Sequence, residues 1–410
     1  MLIAKDGKEL HLLPEMSNRH GLIAGSSGSG KTVTLRVMAE NFSAIGVPVF
    51  MADIKGDLNG LDQPGSVTPA LRERISSMNL TDFSFEGFPT RCWDVFGQEG
   101  DELKTSINRL TPLLLSRLLN LSDVQNESLS QLFKIARDYS NTDNPVEIRN
   151  IEDMTSVINE IISYSSSLEP KYGKISKQSY ASIQRSMLML EQDGKDVLFS
   201  DTPFDVTRFM QTEDGCGVIN IFKAQKLYEN PMVYSTFLLW LIAELYKALP
   251  ECGDLDKPKM VFFFDEAHLL FDDAPKVLVD NVEKLVRLIR SKGVGVFFIT
   301  QSPSDVPDKV LAQLSNRVQH SLRAFTPKEQ KAVKTVAQTF RNDSNLTVEK
   351  EIGNLKIGEA LVSFLDESGS PVPVRKAFIC PPRSRIANHS VVANEQSLPA
   401  TTDDLFESII

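Results

Sequence analysis

Gly25-Ser26-Ser27-Gly28-Ser29-Gly30-Lys31-Thr32 meets the spacing G-x-x-x-x-G-K-[ST] in full. Small residues there permit a tight turn whose backbone amides converge on phosphate oxygens, and a helix starting near Lys31 adds the positive end of its dipole. Lys31 would reach the β- and γ-phosphates of a nucleoside triphosphate, and the Thr32 hydroxyl would ligate Mg²⁺. A second constellation is "VFFFDEAHLLF" (261–271), where an apolar run ends in Asp265 and Glu266. Asp265 would hold Mg²⁺ through water, and Glu266 stands where a carboxylate takes a proton from an attacking water. The bland alternative is a pair of acids capping the next helix. Beside a phosphate loop, the adjacent pair argues for hydrolysis and against a kinase, which deprotonates a hydroxyl acceptor and needs no water-activating glutamate.

Three further groups depend on where the elements end. Gln301 closes the run "GVGVFFIT" (293–300), one crossover helix after Asp265, so its strand should neighbour that of Asp265 and bring Gln301 to the γ-phosphate. It would otherwise cap the next turn. Arg287 and Arg290 lie on the helix before that strand, away from the phosphate loop of their own chain. Either could act across a subunit interface on a neighbour's phosphates, or simply be a solvated surface arginine. Asp53 ends "VPVFMAD" (47–53), and Arg19 precedes the first strand in "SNRHG". Asp53 falls at a carboxyl strand end, where chemistry sits in such sheets, although a turn-forming Asp reads the same way.

The elements that position these residues are legible as alternation. "GLIAG" (21–25), "VPVFMAD", "CGVINIF" (216–222), "KMVFFFDEAH" (259–268) and "GVGVFFIT" are apolar without polar alternation, as strands buried on both faces of a parallel sheet are. Helical patterns cover Thr32–Ala44, Met232–Leu249 and Pro275–Lys292. Together they predict an α/β fold: a doubly wound, mainly parallel sheet with ligands at the carboxyl ends of the strands. Residues 101–210 read as a helical insertion, with Leu110, Leu114, Leu118 and Leu121 on one face and Ser122 with Gln125 in capping-box spacing. The expected division is 1–100 and 211–382 as two parts of one core, 101–210 inserted, and 383–410 an irregular tail, disordered or clasping a neighbour.

Composition narrows the partners. The net charge of -10 repels nucleic acid over the surface as a whole, so any such contact needs a local basic patch or a pore lining. The four cysteines and five histidines show no metal-ligand or disulfide spacing. The opening "MLIAKDGKEL" lacks a signal-like apolar core, and the most apolar helix is too short to span a bilayer. The expectation is a cytoplasmic, soluble chain without membrane contact.

"LLPEMSNRHGLIAGSSGSGKTVTL", "GVPVFMADIKGDL", "KMVFFFDEAHLLF", "LIRSKGVGVFFITQSPSD", "LSNRVQHSLRAFTPKEQKAVK" and "FICPPRSR" together resemble the bacterial YjgR-like family within the HerA–FtsK superfamily of ring-forming ATPases. The resemblance covers nearly the whole chain. It implies a RecA-like ASCE core, hydrolysis of ATP with Mg²⁺, and a homo-oligomeric ring of hexamer type in which one subunit supplies arginine to the next. Lys31 and Thr32 match the P-loop pair, Asp265 and Glu266 the Mg²⁺ and water residues, and Gln301 a sensor-like glutamine. Arg19 and Asp53 match positions near the nucleotide, and Arg287 or Arg290 falls in the finger region. "DEAH" (265–268) also matches helicases named for that tetrapeptide, but the second arginine motif of those enzymes is missing, and His268 is read as a helix-start residue. HerA proper begins with a small β-barrel for docking partners, whereas here the P-loop begins at residue 25, which weakens any carry-over of HerA's nuclease partner.

Two functions compete. An oligomeric motor on DNA needs a cationic strip, for which Lys328, Lys331 and Lys334 share one helical face; a solvated surface explains the same spacing. An ATPase that gates protein partners fits the acidic balance better.

Overall fold

The computed structural model describes residues 1–140, 146–194, 196–272, 274–324, 326–341 and 346–386. A hairpin of β1 (Leu2–Lys5) and β2 (Glu9–His11) comes first, and β3 (Gly21–Ala24) leads into α1 (Lys31–Ala44). Then follow β4 (Val49–Asp53), α2 (Pro69–Ser77), β5 (Thr90–Asp94) and β6 (Asp101–Glu102). Helices α3 (Pro112–Leu118), α4 (Asp123–Tyr139), α5 (Ile151–Ser163), α6 (Ser165–Tyr172) and α7 (Lys177–Gln192) come next. A short ribbon of β7 (Thr212–Glu213) and β8 (Cys216–Gly217) precedes β9 (Ile219–Lys223), α8 (Gln225–Tyr228) and α9 (Pro231–Ala248). The remainder is β10 (Met260–Phe264), α10 (Lys276–Ile289), β11 (Val294–Thr300), α11 (Asp308–Leu311), β12 (Asn316–Gln319), α12 (Pro327–Gln338), α13 (Val348–Asn354), β13 (Glu359–Ser363) and β14 (Arg375–Ile379).

Twelve strands make one sheet in the order β2-β1-β14-β13-β12-β3-β11-β10-β4-β9-β5-β6. From β12 to β6 every pairing is parallel, and β13, β14, β1 and β2 extend it as an antiparallel edge. The fold is therefore α/β and mostly parallel, as expected. The antiparallel edge goes beyond the sequence reading, which took the opening residues only as a non-signal segment.

Side-chain alternation explains why the strands look uniformly apolar. Leu22, Phe50, Phe262, Phe264, Val296 and Phe298 point to one face, where α9, α10 and the helices of 112–192 cover them. Ile23, Val49, Met51, Val261, Phe263, Phe297 and Ile299 point to the other, under α1. A strand with a core on each side is apolar at nearly every position. The helices of 112–192 share the first of these cores with the sheet. Ser122 and Gln125 form the expected capping box, with Gln125 Oε1 accepting the Ser122 amide at 2.8 Å. A third, smaller core gathers Val333, Val336, Ile352 and Leu361 beneath α12 and α13, beside the loop that follows β3.

The first residues of the expected tail are tied down. Glu40 on α1 accepts the Arg383 amide at 2.7 Å and the Ser384 amide at 3.1 Å, while Arg36 donates to Ser384 Oγ and the Arg385 carbonyl. Residues 383–385 thus clasp their own chain, and residues 387–410 of the expected tail lie outside the described residues. No helix among the described residues is long and apolar enough to cross a membrane.

Candidate nucleotide site

Strand β3 ends at Ala24, and the loop 25–30 turns directly into α1, whose N-cap is Gly30 at φ +114°. That backbone angle suits glycine alone. Gly25 is required for space: a Cβ there would lie 2.5 Å from Cβ of His320. The loop is held from beneath, since the Ser26 amide donates to the Ser321 carbonyl at 2.8 Å and Ser26 Oγ accepts the Arg323 amide at 3.0 Å. His320 is buried, bonded through Nε2 to Thr34 Oγ1 at 2.8 Å and through Nδ1 to the Glu359 carbonyl at 3.1 Å. Burial, then the neighbouring Lys31 charge, lowers its pKa to about 4, so the ring under the loop is neutral.

Lys31 turns its ammonium back onto the loop, donating to the Gly25 carbonyl at 2.6 Å and the Ser26 carbonyl at 3.2 Å. Burial lowers its pKa, opposed by Glu266. Thr32 Oγ1 donates to Asp57 Oδ2 at 3.2 Å.

β11 lies between β3 and β10, parallel to both, as the single crossover helix implied. Asp265 and Glu266 follow β10 immediately. Asp265 is half-buried, its Oδ1 accepting the Glu266 amide at 2.9 Å and its carbonyl accepting the Tyr234 hydroxyl at 3.3 Å. Burial, then the Glu266 charge, raises its pKa to about 6. A divalent cation beside it would restore the carboxylate. Glu266 sits in the left-handed region at φ +48°, a conformation costing a non-glycine residue about 1–2 kcal/mol. Its Oε1 accepts Lys55 Nζ at 3.0 Å, while Oε2 is buried without a hydrogen-bond partner and lies 3.4 Å from His268 Nδ1.

A cavity of about 400 Å³ is lined by Ser26, Ser27, His268, Gln301, Asp305 and Arg323. A second, of about 700 Å³, borders Ser27, Gly28 and Ser29 and runs under Leu322, Val333 and Ile357. Both cavities border the phosphate loop, and His268 after β10 and Gln301 after β11 line the smaller one.

A family profile described as "Helicase HerA-like C-terminal" matches residues 2–405. The chain belongs to the HerA-like C-terminal helicase family. No curated protein matches it. Among solved structures, the HerA-like chain is similar to the unbound bacterial conjugative coupling protein TrwB lacking 70 N-terminal residues, at 15% identity and a TM-score of 0.60, over 95% of this chain and 91% of that one. It is similar to TrwB in complex with ADP and Mg²⁺, at 15% identity and TM-score 0.58, over 91% and 86%. VirB4 of Thermoanaerobacter pseudethanolicus matches at 15% identity and TM-score 0.56, over 95% and 97%. At such identities these likenesses establish the RecA-like P-loop fold of the HerA-like chain.

The site therefore gathers residues 25–32, Asp265, Glu266 and Gln301, and leaves four sequence candidates elsewhere. Arg19 is a correction: it ends the turn of 14–19 at the amino end of β3, the strand end opposite the P-loop, with its guanidinium against Gly369. It cannot touch a nucleotide on its own chain's loop. Asp53 is a correction as well, because its carboxylate is fully buried and bonds Lys223 Nζ at 2.9 Å across β4 and β9. Arg287 is exposed and pairs with Glu283 at 3.8 Å, and Arg290 lies near Arg19 at the amino end of β11. The seven residues of β11, about 23 Å, separate Arg290 from the end that carries Gln301.

Sequence reasoning missed Lys55, Asp57 and Arg323, and gave His268 no role. Lys55 and Asp57 were visible only as the "IKGD" turn after a strand end. Lys331 and Lys334 of the suggested basic strip are exposed on α12, and Lys334 borders the larger cavity. The side chain of Lys328 lies outside the described residues.

Proposed function

We propose that this HerA-like chain hydrolyses ATP with Mg²⁺ at the 25–32 loop and works as an oligomeric motor on DNA. The observation that carries the catalytic part is Glu266: a buried carboxylate with one oxygen lacking a hydrogen-bond partner, held in a strained backbone and close enough to act on the Lys31 charge. Lys31 leaves its loop carbonyls for the β- and γ-phosphates, and Glu266 Oε2 takes a proton from water attacking the γ-phosphorus. Gln301 reads the γ-phosphate from the end of β11. Mg²⁺ would be held by Thr32 Oγ1 and, through water, by Asp265, with phosphate oxygens completing its shell, and would neutralise charge developing on the β- and γ-oxygens. The hard oxygen donors of Thr32 and Asp265 suit that ion. On this reading 1–100 and 211–382 are two parts of one ATPase core and 101–210 an insertion.

Arg19 and Arg290 support action across an interface. Their own loop is a strand length away, yet both stand on one face, so a neighbour stacked there would receive two guanidinium groups, with Arg287 at its margin. Such a contribution is worth roughly 10³ to 10⁵ in rate.

The acidic balance favours a second reading, an ATPase that gates a protein partner. Turnover and assembly mass, measured with and without DNA, separate the two. The motor reading expects DNA-stimulated turnover and binding that weakens steeply with salt. DNA-independent turnover and flat salt dependence would leave the protein-partner reading.

A further inference from the structure

The candidate site holds one ion pair that its chemistry cannot tolerate throughout a turnover. Lys55 Nζ lies 3.0 Å from Oε1 of Glu266, with the carboxylate nearly buried and the lysine half exposed. A carboxylate that shares its lone pairs with an ammonium group is a weaker proton acceptor, so the group that must activate water is quenched while the pair holds.

The surroundings give the lysine somewhere else to go. Lys55 leaves β4 two residues past its end, in a turn fixed to the phosphate loop's helix at the next positions: Asp57 Oδ2 accepts Thr32 Oγ1 at 3.2 Å, and the Asp57 carbonyl accepts Arg36 Nη1 at 3.1 Å. Gly56 between them, at φ +73°, takes a backbone angle that lets the turn fold so tightly. The Lys55 ammonium is close enough to depress the pKa of Lys31, while Glu266, Asp265 and Asp57 act on it in turn. Burial alone pulls the Lys55 pKa down, and the Glu266 hydrogen bond and charge outweigh it, so it is a cation. Two ammonium groups thus border the space that the terminal phosphate would enter, each bonded to a protein oxygen.

We propose that Lys55 senses the γ-phosphate, bonding Glu266 in the nucleotide-free and ADP-bound chain and moving to a γ-phosphate oxygen when ATP binds, which frees Glu266 for the attacking water. The exchange moves no proton: the ammonium keeps all three hydrogens and replaces a carboxylate oxygen with a phosphate oxygen. ADP carries no γ-phosphate and leaves the ion pair in place, so turnover resets the device. The proposal rests on the ATPase reading above.

Titration calorimetry of the full chain with Mg²⁺ and either ADP or the non-hydrolysable analogue AMP-PNP tests it, on wild type, Lys55→Ala, Lys55→Arg and Glu266→Gln. Lys55→Ala should lose about ten-fold in AMP-PNP affinity with ADP affinity unchanged, and Lys55→Arg should recover most of it. Glu266→Gln, which removes the competing carboxylate, should raise AMP-PNP affinity several-fold without changing ADP, and only while Lys55 is present. If Lys55→Ala does not fold, the Glu266→Gln measurement decides alone. Equal losses for both nucleotides, no loss for either, or an unchanged AMP-PNP affinity in Glu266→Gln would overturn the exchange and make Lys55 a structural anchor. Wild type that binds neither nucleotide would instead overturn the ATPase reading itself.

Discussion

At the scale of single residues, the phosphate loop was readable because its chemistry is local: glycine spacing, one lysine and one hydroxyl suffice within a few residues. Asp265 and Glu266 were readable for the same reason. Lys31→Ala should abolish binding of Mg–ATP, measured by fluorescence of a labelled nucleotide, with the fold intact by circular dichroism. Lys55 and Asp57 were not readable, because what they do depends on β4 and β10 lying side by side, which no local pattern records. Arg19 failed for a related reason. Its position shortly before the loop places it near in sequence, but β3 runs between them and carries it to the opposite edge of the sheet.

Among the elements, the helices and buried strands followed from apolar runs and periodicity, whereas the β1–β2 hairpin, with half its residues exposed, offered no such signal. The clasp on α1 was hidden too, since it joins residues more than 340 apart. Glu40 is buried, and burial raises its pKa while bonds from Ser384 and Arg383 oppose that rise. Glu40→Ala would leave those donors and the Arg36 charge without compensation, and should cost about 3 kcal/mol in urea unfolding. Phe263, buried on the α1 face, should cost about 3–5 kcal/mol as Phe263→Ala by the same measurement.

For the whole molecule, pH is a direct probe of the packing. His20 and His320 are both buried, and burial lowers each pKa from 6.5 to about 4. Unfolding at pH between these values takes up protons, so stability is fully present above pH 6.5 and falls as pH drops toward 4. The loss between pH 7 and pH 5 should be about 2 kcal/mol for each ring, read from urea midpoints. A flat profile over that range would mean that neither ring is held neutral. Assembly is tested by mixing: an inactive Arg19→Ala/Arg290→Ala chain combined with inactive Lys31→Ala should recover turnover, because mixed neighbours pair an intact phosphate loop with intact arginines. Recovery is expected only above the concentration at which subunits associate.

Turnover by Glu266→Gln bears most directly on the hydrolytic centre. Incubated with Mg²⁺ and radiolabelled ATP and then passed through a desalting column, this variant should retain intact ATP while phosphate release falls about 10²- to 10⁴-fold below wild type. Phosphate released at the wild-type rate would contradict the role given to Glu266, and a column eluate without nucleotide from both proteins would contradict the site itself.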